Sequence, residues 1–162
     1  MSQLQHSVEQ FLYLKSDLCD KQQWDEYLEL FDPQSVLHVP QWDSEHVYTT
    51  DPTQGMSLIY YRDRAGLEDR VFRLRTGKSA ASTPLPRTMH QISNVRLTEH
   101  EDSSVEANVN WSTLYTRHGT TDYFYGRAVY DLQPSGDSWK IKRKHVLLLN
   151  DHINAVLDFY HL

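Results

Sequence analysis

The chain has 162 residues, of which 39% are hydrophobic and 23% are charged, and its formal net charge is −6 at pH 7. The length predicts one domain, residues 1–162, and the composition is that of a chain that folds around an apolar core. An acidic chain is not expected to bind nucleic acid, since surfaces that do so are basic. Because the sequence has neither a long apolar stretch nor a secretory signal, we expect a cytoplasmic protein that does not bind a membrane.

Two helices are predicted at the start of the chain. Apolar residues recur at helical spacing over residues 4–18, and Ser2 begins a capping box for this first helix. A second helix is predicted from Asp20, whose side chain would cap its start. Its apolar stripe runs to Phe31, and Pro33 would end it because proline does not continue a helix.

A strand, a second strand and a third helix are predicted in the middle of the chain. Residues 35–42 alternate in polarity, which predicts a short strand near a sheet edge, and residues 56–61 form a second apolar strand. Asp63 is expected to cap a third helix, and Gly77 is expected to end it in the left-handed conformation. Three apolar residues at helical spacing form its predicted buried face: Leu67, Val71 and Leu74.

The second half of the chain has the period of β-strands. Apolar side chains occupy alternate positions over residues 105–115, and His118 with Gly119 is a plausible turn. Residues 150–162 are too apolar to remain free, so we expect this tail to dock. The order of elements predicts an α+β fold, with N-terminal helices packed against a strongly curved antiparallel sheet. In the last strand, alternation predicts three lysines on the outer face: Lys140, Lys142 and Lys144.

Few residues suggest catalytic or metal chemistry. Cys19 is the only cysteine, which excludes an internal disulfide and a cysteine-rich metal site. The nine histidines lack the spacing of helical metal ligands, and no phosphate loop, dinucleotide fingerprint or nucleophile elbow occurs. We therefore predict no catalytic, cofactor-binding or metal-binding residues. His38 and His90 are expected to be hydrogen-bonded structural residues, and three histidines are expected to be exposed: His100, His118 and His161.

Basic residues are concentrated in one segment, residues 62–87. Its seven basic and three acidic residues give it a charge of +4, which leaves −10 for the rest of the chain. Two interpretations are open: a solvated helical face with internal ion pairs, or a basic surface that docks an acidic partner chain. The seven basic residues are Arg62, Arg64, Arg70, Arg73, Arg75, Lys78 and Arg87.

Two motifs resemble one family. The sequence LIYYRDRAGLEDRV at positions 58–71 resembles the small, or beta, subunits of aromatic-ring-hydroxylating dioxygenases. The sequence PLPRTMHQISNV at positions 84–95 is similar to a signature of that family, and residues 139–149 resemble its last strand. The resemblance covers nearly the whole chain, and within the family it is to the benzoate and anthranilate branch, with anthranilate as the expected substrate.

The resemblance implies a fold, a partner and a division of labour. The fold would be a nuclear-transport-factor-like (SnoaL-like) cone, and the chain would be a non-catalytic subunit without a cofactor. The large (alpha) subunit would carry a Rieske 2Fe–2S cluster and a mononuclear Fe(II), and a reductase would supply electrons from NADH through a flavin. Three large and three small subunits would form a hexamer. One cysteine agrees with this division, since a Rieske cluster needs two cysteines and two histidines.

Five residues are candidates for an interface or a structural motif: Arg70, Arg75, Arg87, His90 and Asn94. Arg87 could bind carboxylates or carbonyls and Asn94 could satisfy backbone groups, or these residues could only hold the chain's own loop to its sheet. A benzoate-type small subunit is one alternative function. Others are a stand-alone cone-fold enzyme, such as a dehydratase, isomerase or cyclase, and a small-molecule-binding or structural homo-oligomer. The acid and base of such an enzyme would come from His38, His90 and Tyr60.

Overall fold

Helices come first and long strands follow, as predicted. The computed structural model describes residues 2–53, 55–77 and 83–162. The helices are α1 (Gln3–Asp20), α2 (Trp24–Glu29) and α3 (Ala65–Thr76), with a short 3-10 helix at Phe159–His161. The strands are β1 (Phe31–Pro40), β2 (Trp42–Ser44), β3 (Val47–Tyr48), β4 (Ser57–Tyr61), β5 (Arg87–Glu99), β6 (Val105–Arg117), β7 (Thr120–Ser135) and β8 (Ser138–Leu148).

Six of the strands form one curved mixed sheet in the order β4-β1-β8-β7-β6-β5, and β2 pairs with β3 in a separate hairpin. The predicted antiparallel sheet is wrong at one pair, because β1 and β8 run parallel. The first strand was expected near a sheet edge, and β1 is second in the order, between the edge strand β4 and β8. Pro40 is tolerated there because it ends the strand, where the register with β4 shifts.

The first helix is confirmed, but the second begins and ends differently. The Ser2 hydroxyl accepts a hydrogen bond of 3.1 Å from the backbone N–H of Gln5, which caps α1. The predicted capping role of Asp20 is wrong: α1 continues through Asp20, and α2 has no side-chain cap. Phe31 and Pro33 belong to β1 rather than to the second helix, because the backbone adopts an extended conformation directly after Leu30.

The third helix agrees with its sequence pattern. Leu67, Val71 and Leu74 are buried, and Gly77 has a φ of +66° at the C-terminal end. The Asp63 carboxylate accepts a hydrogen bond of 2.9 Å from the backbone N–H of Ala65, the first residue of the helix, but Arg64 rather than Asp63 occupies the N-cap position. Glycine adopts this left-handed conformation without the steric cost that a Cβ atom would add.

A β-bulge in β8 reverses the predicted orientation of Lys144. Ile141 pairs with Leu132 of β7 and Arg143 pairs with Asp131, so Lys142 is an extra residue on its strand. An extra residue inverts the alternation of side chains beyond it. Lys144 is therefore 2% exposed rather than on the outer face with Lys140 and Lys142.

The C-terminal segment docks on its own chain. The Phe159 ring packs against the rings of Trp24 and Tyr27, with centroid distances of 5.5 and 5.8 Å. His161 was expected to be exposed, but it is buried because the 3-10 helix folds onto the core. Helix α1 contacts β5 and β8, and the Trp139 indole donates a 3.0 Å hydrogen bond to the Ser7 hydroxyl. The helices and the tail thus cover one face of the sheet.

Across the described ranges, no helix combines the length and apolar composition needed to cross a membrane.

Candidate functional site

A buried Asp–His pair joins the end of α1 to β5. The Asp20 carboxylate accepts hydrogen bonds from the Thr88 hydroxyl and from the backbone N–H of His90, both at 2.9 Å. It also contacts Nδ1 of the His90 ring. The His90 side chain is only 4% exposed. One carboxylate therefore makes three contacts between the helix and the strand.

The environment of this pair favours a neutral imidazole. Burial lowers the pKa of His90, against the opposing effect of its hydrogen bond to Asp20. Burial alone would raise the pKa of Asp20, but hydrogen bonds from His90 and Thr88 outweigh it and lower that pKa. An Asp–His pair is a common acid–base arrangement, but here the His90 side chain is only 4% exposed and its Nδ1 is bound to Asp20. Its geometry supports the structural role expected for His90.

Two lysines lie in the same interior. Lys15 and Lys144 are each 2% exposed, and their ammonium groups lie 5.3 and 5.7 Å from the centroid of the Tyr130 ring. The Lys144 ammonium also donates a 3.4 Å hydrogen bond to the carbonyl oxygen of Leu162. Burial lowers the pKa of Lys144 well below its ordinary value, and the nearby Lys15 lowers it further. These contacts are cation–π and hydrogen-bonding interactions within the chain.

Arg70 and Arg75, two of the five predicted motif residues, form ion pairs within the chain. The Arg70 guanidinium binds the carboxylate of Asp158, which is itself buried, and this hydrogen bond raises the pKa of Arg70. Arg75 binds Asp25 of α2 at 2.8 Å on the surface. The basic segment is therefore partly neutralised by internal partners; Lys78 lies outside the described residues.

Arg87 and Asn94, the other two surface candidates, lie on β5. Arg87 is exposed at the start of the strand. Asn94 has a φ of +54° in a bulge, since Ser93 pairs with Asn110 of β6 and the next pair is Arg96 with Asn108. Asparagine tolerates this left-handed conformation better than most residues do. The structure thus gives Asn94 a local backbone role at a point where the strand bends.

An open cleft of about 620 Å³ lies between the β2–β3 hairpin and the outer face of the sheet. Trp42 fixes the hairpin there, because its indole N–H donates a 2.8 Å hydrogen bond to the carbonyl oxygen of Leu148. The rings of Trp42, Tyr48 and His145 form one aromatic wall, with centroid distances of 5.4 and 6.3 Å between successive rings. Arg96 and Arg127 lie on the side formed by the sheet, and none of the described lining residues is acidic.

The sequence prediction missed this cleft. Its wall is assembled from the hairpin and from four strands that are distant in sequence. A signal was present in the exposed positions of the alternating strands, which place Arg127 on the same face as Tyr123 and Tyr125. Aromatic and arginine side chains at exposed strand positions are typical of binding surfaces.

The three residues proposed for an acid–base pocket do not come together, because only His38 and Tyr60 are neighbours. His38 forms a 3.0 Å hydrogen bond with the Ser57 hydroxyl, and its ring lies 5.7 Å from that of Tyr60. These residues are on β1 and β4, whereas His90 is on β5 at the opposite edge of the sheet. Within the described part of the chain, no group of three or more His, Cys, Asp or Glu residues could hold a metal ion.

A family model described as the ring hydroxylating beta subunit matches residues 15–155. The chain belongs to the ring-hydroxylating beta subunit family. The match includes both motifs that suggested the resemblance. Structural neighbours of the chain that are ring-hydroxylase beta subunits confirm the nuclear-transport-factor-like cone.

Named relatives of this beta subunit come from several bacteria. The chain is 56% identical to the anthranilate 1,2-dioxygenase small subunit of Acinetobacter baylyi, over 99% of this chain and 98% of the relative. It is 45% identical to the 2-halobenzoate 1,2-dioxygenase small subunit of Burkholderia cepacia, with coverages of 94% and 92%. A crystal structure of the benzoate 1,2-dioxygenase beta subunit of Burkholderia mallei aligns with a TM-score of 0.80, 37% identity and coverages of 96% and 95%.

Proposed function

We propose that the chain is the small, non-catalytic subunit of an aromatic-ring-hydroxylating dioxygenase that converts anthranilate to catechol. It binds a large (alpha) subunit in the cytoplasm, in an assembly of three large and three small subunits. The whole chain, residues 1–162, acts as one domain. The large subunit carries the Rieske cluster and the mononuclear Fe(II), and a reductase transfers electrons from NADH through its flavin.

The observation that carries this proposal is the 56% identity to a small subunit named for anthranilate, which extends over nearly the full length of both chains. The single cysteine supports the division of labour, because this chain cannot supply the two cysteines of a Rieske cluster. The low exposure of the His90 side chain, 4%, speaks against a stand-alone pocket enzyme, since a general acid or base must reach its substrate. All five motif candidates stay proposed as interface or structural residues: Arg70, Arg75, Arg87, His90 and Asn94.

The proposal is tested by expressing the chain with and without its large subunit. Light scattering gives the mass of the assembly, and NADH oxidation is measured with the reductase, using anthranilate and benzoate as alternative substrates. We expect a mixed hexamer that oxidises NADH in response to anthranilate only when both chains are present. An unchanged mass and activity without this chain, or self-association that excludes the large subunit, would contradict the proposal. A response to benzoate but not to anthranilate would support the benzoate-type alternative.

A further inference from the structure

An exposed aromatic patch lies on the outer face of the sheet, opposite the face covered by the helices. Met89 pairs with Leu114, and Leu114 pairs with Tyr123, so their side chains are neighbours across three strands. The rings of Tyr123 and Tyr125 lie 5.8 Å apart. Met89 is 50% and Tyr123 is 61% exposed. A cluster of large apolar side chains with this exposure is typical of an interaction surface.

The patch continues into the cleft beneath the hairpin. Arg127 follows Tyr125 by two residues on β7, which places the two side chains on the same face. Arg96, on β5, lines the same cleft. In the described part of the chain, neither Arg96 nor Arg127 takes part in an ion pair. The docking face is defined as Met89, Arg96, Leu114, Tyr123, Tyr125 and Arg127.

The basic segment that stood out in the sequence is a weaker candidate for docking. Four of its arginines bind carboxylates of the same chain: Arg64 binds Glu68, Arg70 binds Asp158, Arg73 binds Asp69 and Arg75 binds Asp25. Their charge is already compensated. The docking face instead presents Arg96 and Arg127, which form no ion pair with any described residue, on a chain whose net charge is −6.

We propose that the docking face binds an acidic surface of the large subunit, with an apolar side chain of that subunit packed on the aromatic patch; this inference rests on the proposed function. Arginine, tyrosine and methionine are enriched at protein interfaces, and arginine forms bidentate pairs with carboxylates. A second copy of the chain packed face to face would bring Arg127 and Arg96 against like charges. Charge therefore favours an acidic partner over self-association through this face.

The test uses charge reversal in the full chain, co-expressed with its large subunit. We expect Arg127→Glu to weaken binding to the large subunit about tenfold or more, whereas Arg127→Lys retains most of it. Tyr123→Ser should also weaken binding, but without changing its dependence on ionic strength. Arg73→Glu on α3 is the matched control, since it reverses an exposed arginine outside the docking face. Circular dichroism and thermal melting establish that each variant is folded.

The outcomes separate this inference from the proposed function. Wild-type binding that is lost in Arg127→Glu and kept in Arg73→Glu supports the docking face. If wild type binds and Arg127→Glu binds equally well, or if only Arg73→Glu fails, the docking face is overturned while the subunit function stands. If Arg127→Glu abolishes self-association of the chain and leaves binding to the large subunit unchanged, the partner assignment is overturned. If wild type does not bind the large subunit, the proposed function itself fails.

Discussion

At the scale of single residues, Asp20 shows how a short polar side chain can serve tertiary structure instead of a helix cap. Its position before α2 fits a capping pattern, yet its carboxylate accepts hydrogen bonds from Thr88 and His90 of β5. A local sequence pattern indicates only the nearby partners of such a side chain. Thr88, the partner found here, is 68 residues away in the sequence. The partly buried donors of β5 decide the outcome, because a donor that is shielded from water is costly to leave unpaired.

We expect Asp20→Ala to lower the free energy of unfolding by about 2–4 kcal/mol, since it leaves buried donors on Thr88 and His90 unpaired. Urea denaturation monitored by circular dichroism measures this change. Asp17→Ala on the same helix is the control, because the ion pair of Asp17 with Lys21 is exposed and contributes less than about 1 kcal/mol. Equal effects of the two substitutions would show that the bonds to β5 contribute little.

Lys144→Met should leave stability unchanged or raise it by about 1–2 kcal/mol at pH 7, because a buried charge that forms no ion pair among the described residues is costly to desolvate. Burial lowers the pKa of Lys144, so the folded state binds fewer protons than the unfolded state below pH 10. Wild type should therefore gain stability as the pH rises from 7 to 10, whereas the variant should not. Lys142→Met, whose side chain is 41% exposed, is the control. A large loss of stability in Lys144→Met would instead mean that its charge is compensated.

At the scale of elements, regular alternation could be read from the sequence and its interruptions could not. The buried positions of β6 and α3 follow the strand and helix periods seen in the sequence, so both predictions are confirmed. The bulges at Asn94 and Lys142 could not be predicted, because an extra residue is defined only by the strand opposite it. The parallel pairing of β1 with β8 likewise depends on a contact between the two halves of the chain.

The candidate site was less predictable than the fold. The Asp20–His90 pair and the cleft are made by residues that are far apart in sequence, and their residue types are common ones. The uneven charge of residues 62–87 drew attention to α3, but ion pairs within the chain compensate much of it. Arg127 was not predicted as a binding residue, because a single arginine in a strand forms no distinctive sequence pattern. Its significance comes from the aromatic side chains beside it.

Gly126 lies where the backbone of β8 leaves no space for a Cβ atom on β7. A Cβ atom at this position would lie 1.8 Å from the carbonyl oxygen of Leu147, which is backbone and cannot move alone. We expect Gly126→Ala to destabilise the fold by about 3 kcal/mol, measured from urea denaturation midpoints or, if little folds, from soluble yield. Gly136→Ala is the control: it has open space but a φ of +58°, so it should cost only about 1 kcal/mol. A mild effect at Gly126 would mean that the two strands can separate.

At the scale of the whole molecule, the two faces of the sheet have different uses. Helix α1 and the C-terminal segment close the inner face, so the interior of the cone is filled by side chains such as Phe159 and Tyr130. Folds of this kind can enclose a pocket, but here the ammonium groups of Lys15 and Lys144 contact the Tyr130 ring in the interior. The outer face carries the cleft and the exposed aromatic residues. A small subunit that acts through its surface is consistent with this arrangement.

Closing the interior with the C-terminal segment also makes the fold sensitive to acid. Burial lowers the pKa of His161 to about 4, and His145, which is partly buried, also has a pKa of about 4 for the same main reason. Histidine in an unfolded chain has a pKa of about 6.5. As the pH falls from 6.5 to 4, the unfolded state therefore takes up protons that the folded state does not. The free energy of unfolding must decrease over this range.

The variant His161→Phe isolates this contribution. Each such histidine lowers the free energy of unfolding by up to about 1.4 kcal/mol for each unit by which the pH falls. The slope of the free energy of unfolding against pH, measured between pH 6 and 4.5, should therefore be smaller in the variant by up to that amount. Slopes between pH 7 and 8.5 should coincide and serve as the internal control, because His161 is neutral in both states there. Urea denaturation at each pH measures the slopes. Identical slopes in the acid range would mean that the C-terminal segment opens and admits water before the rest of the protein unfolds.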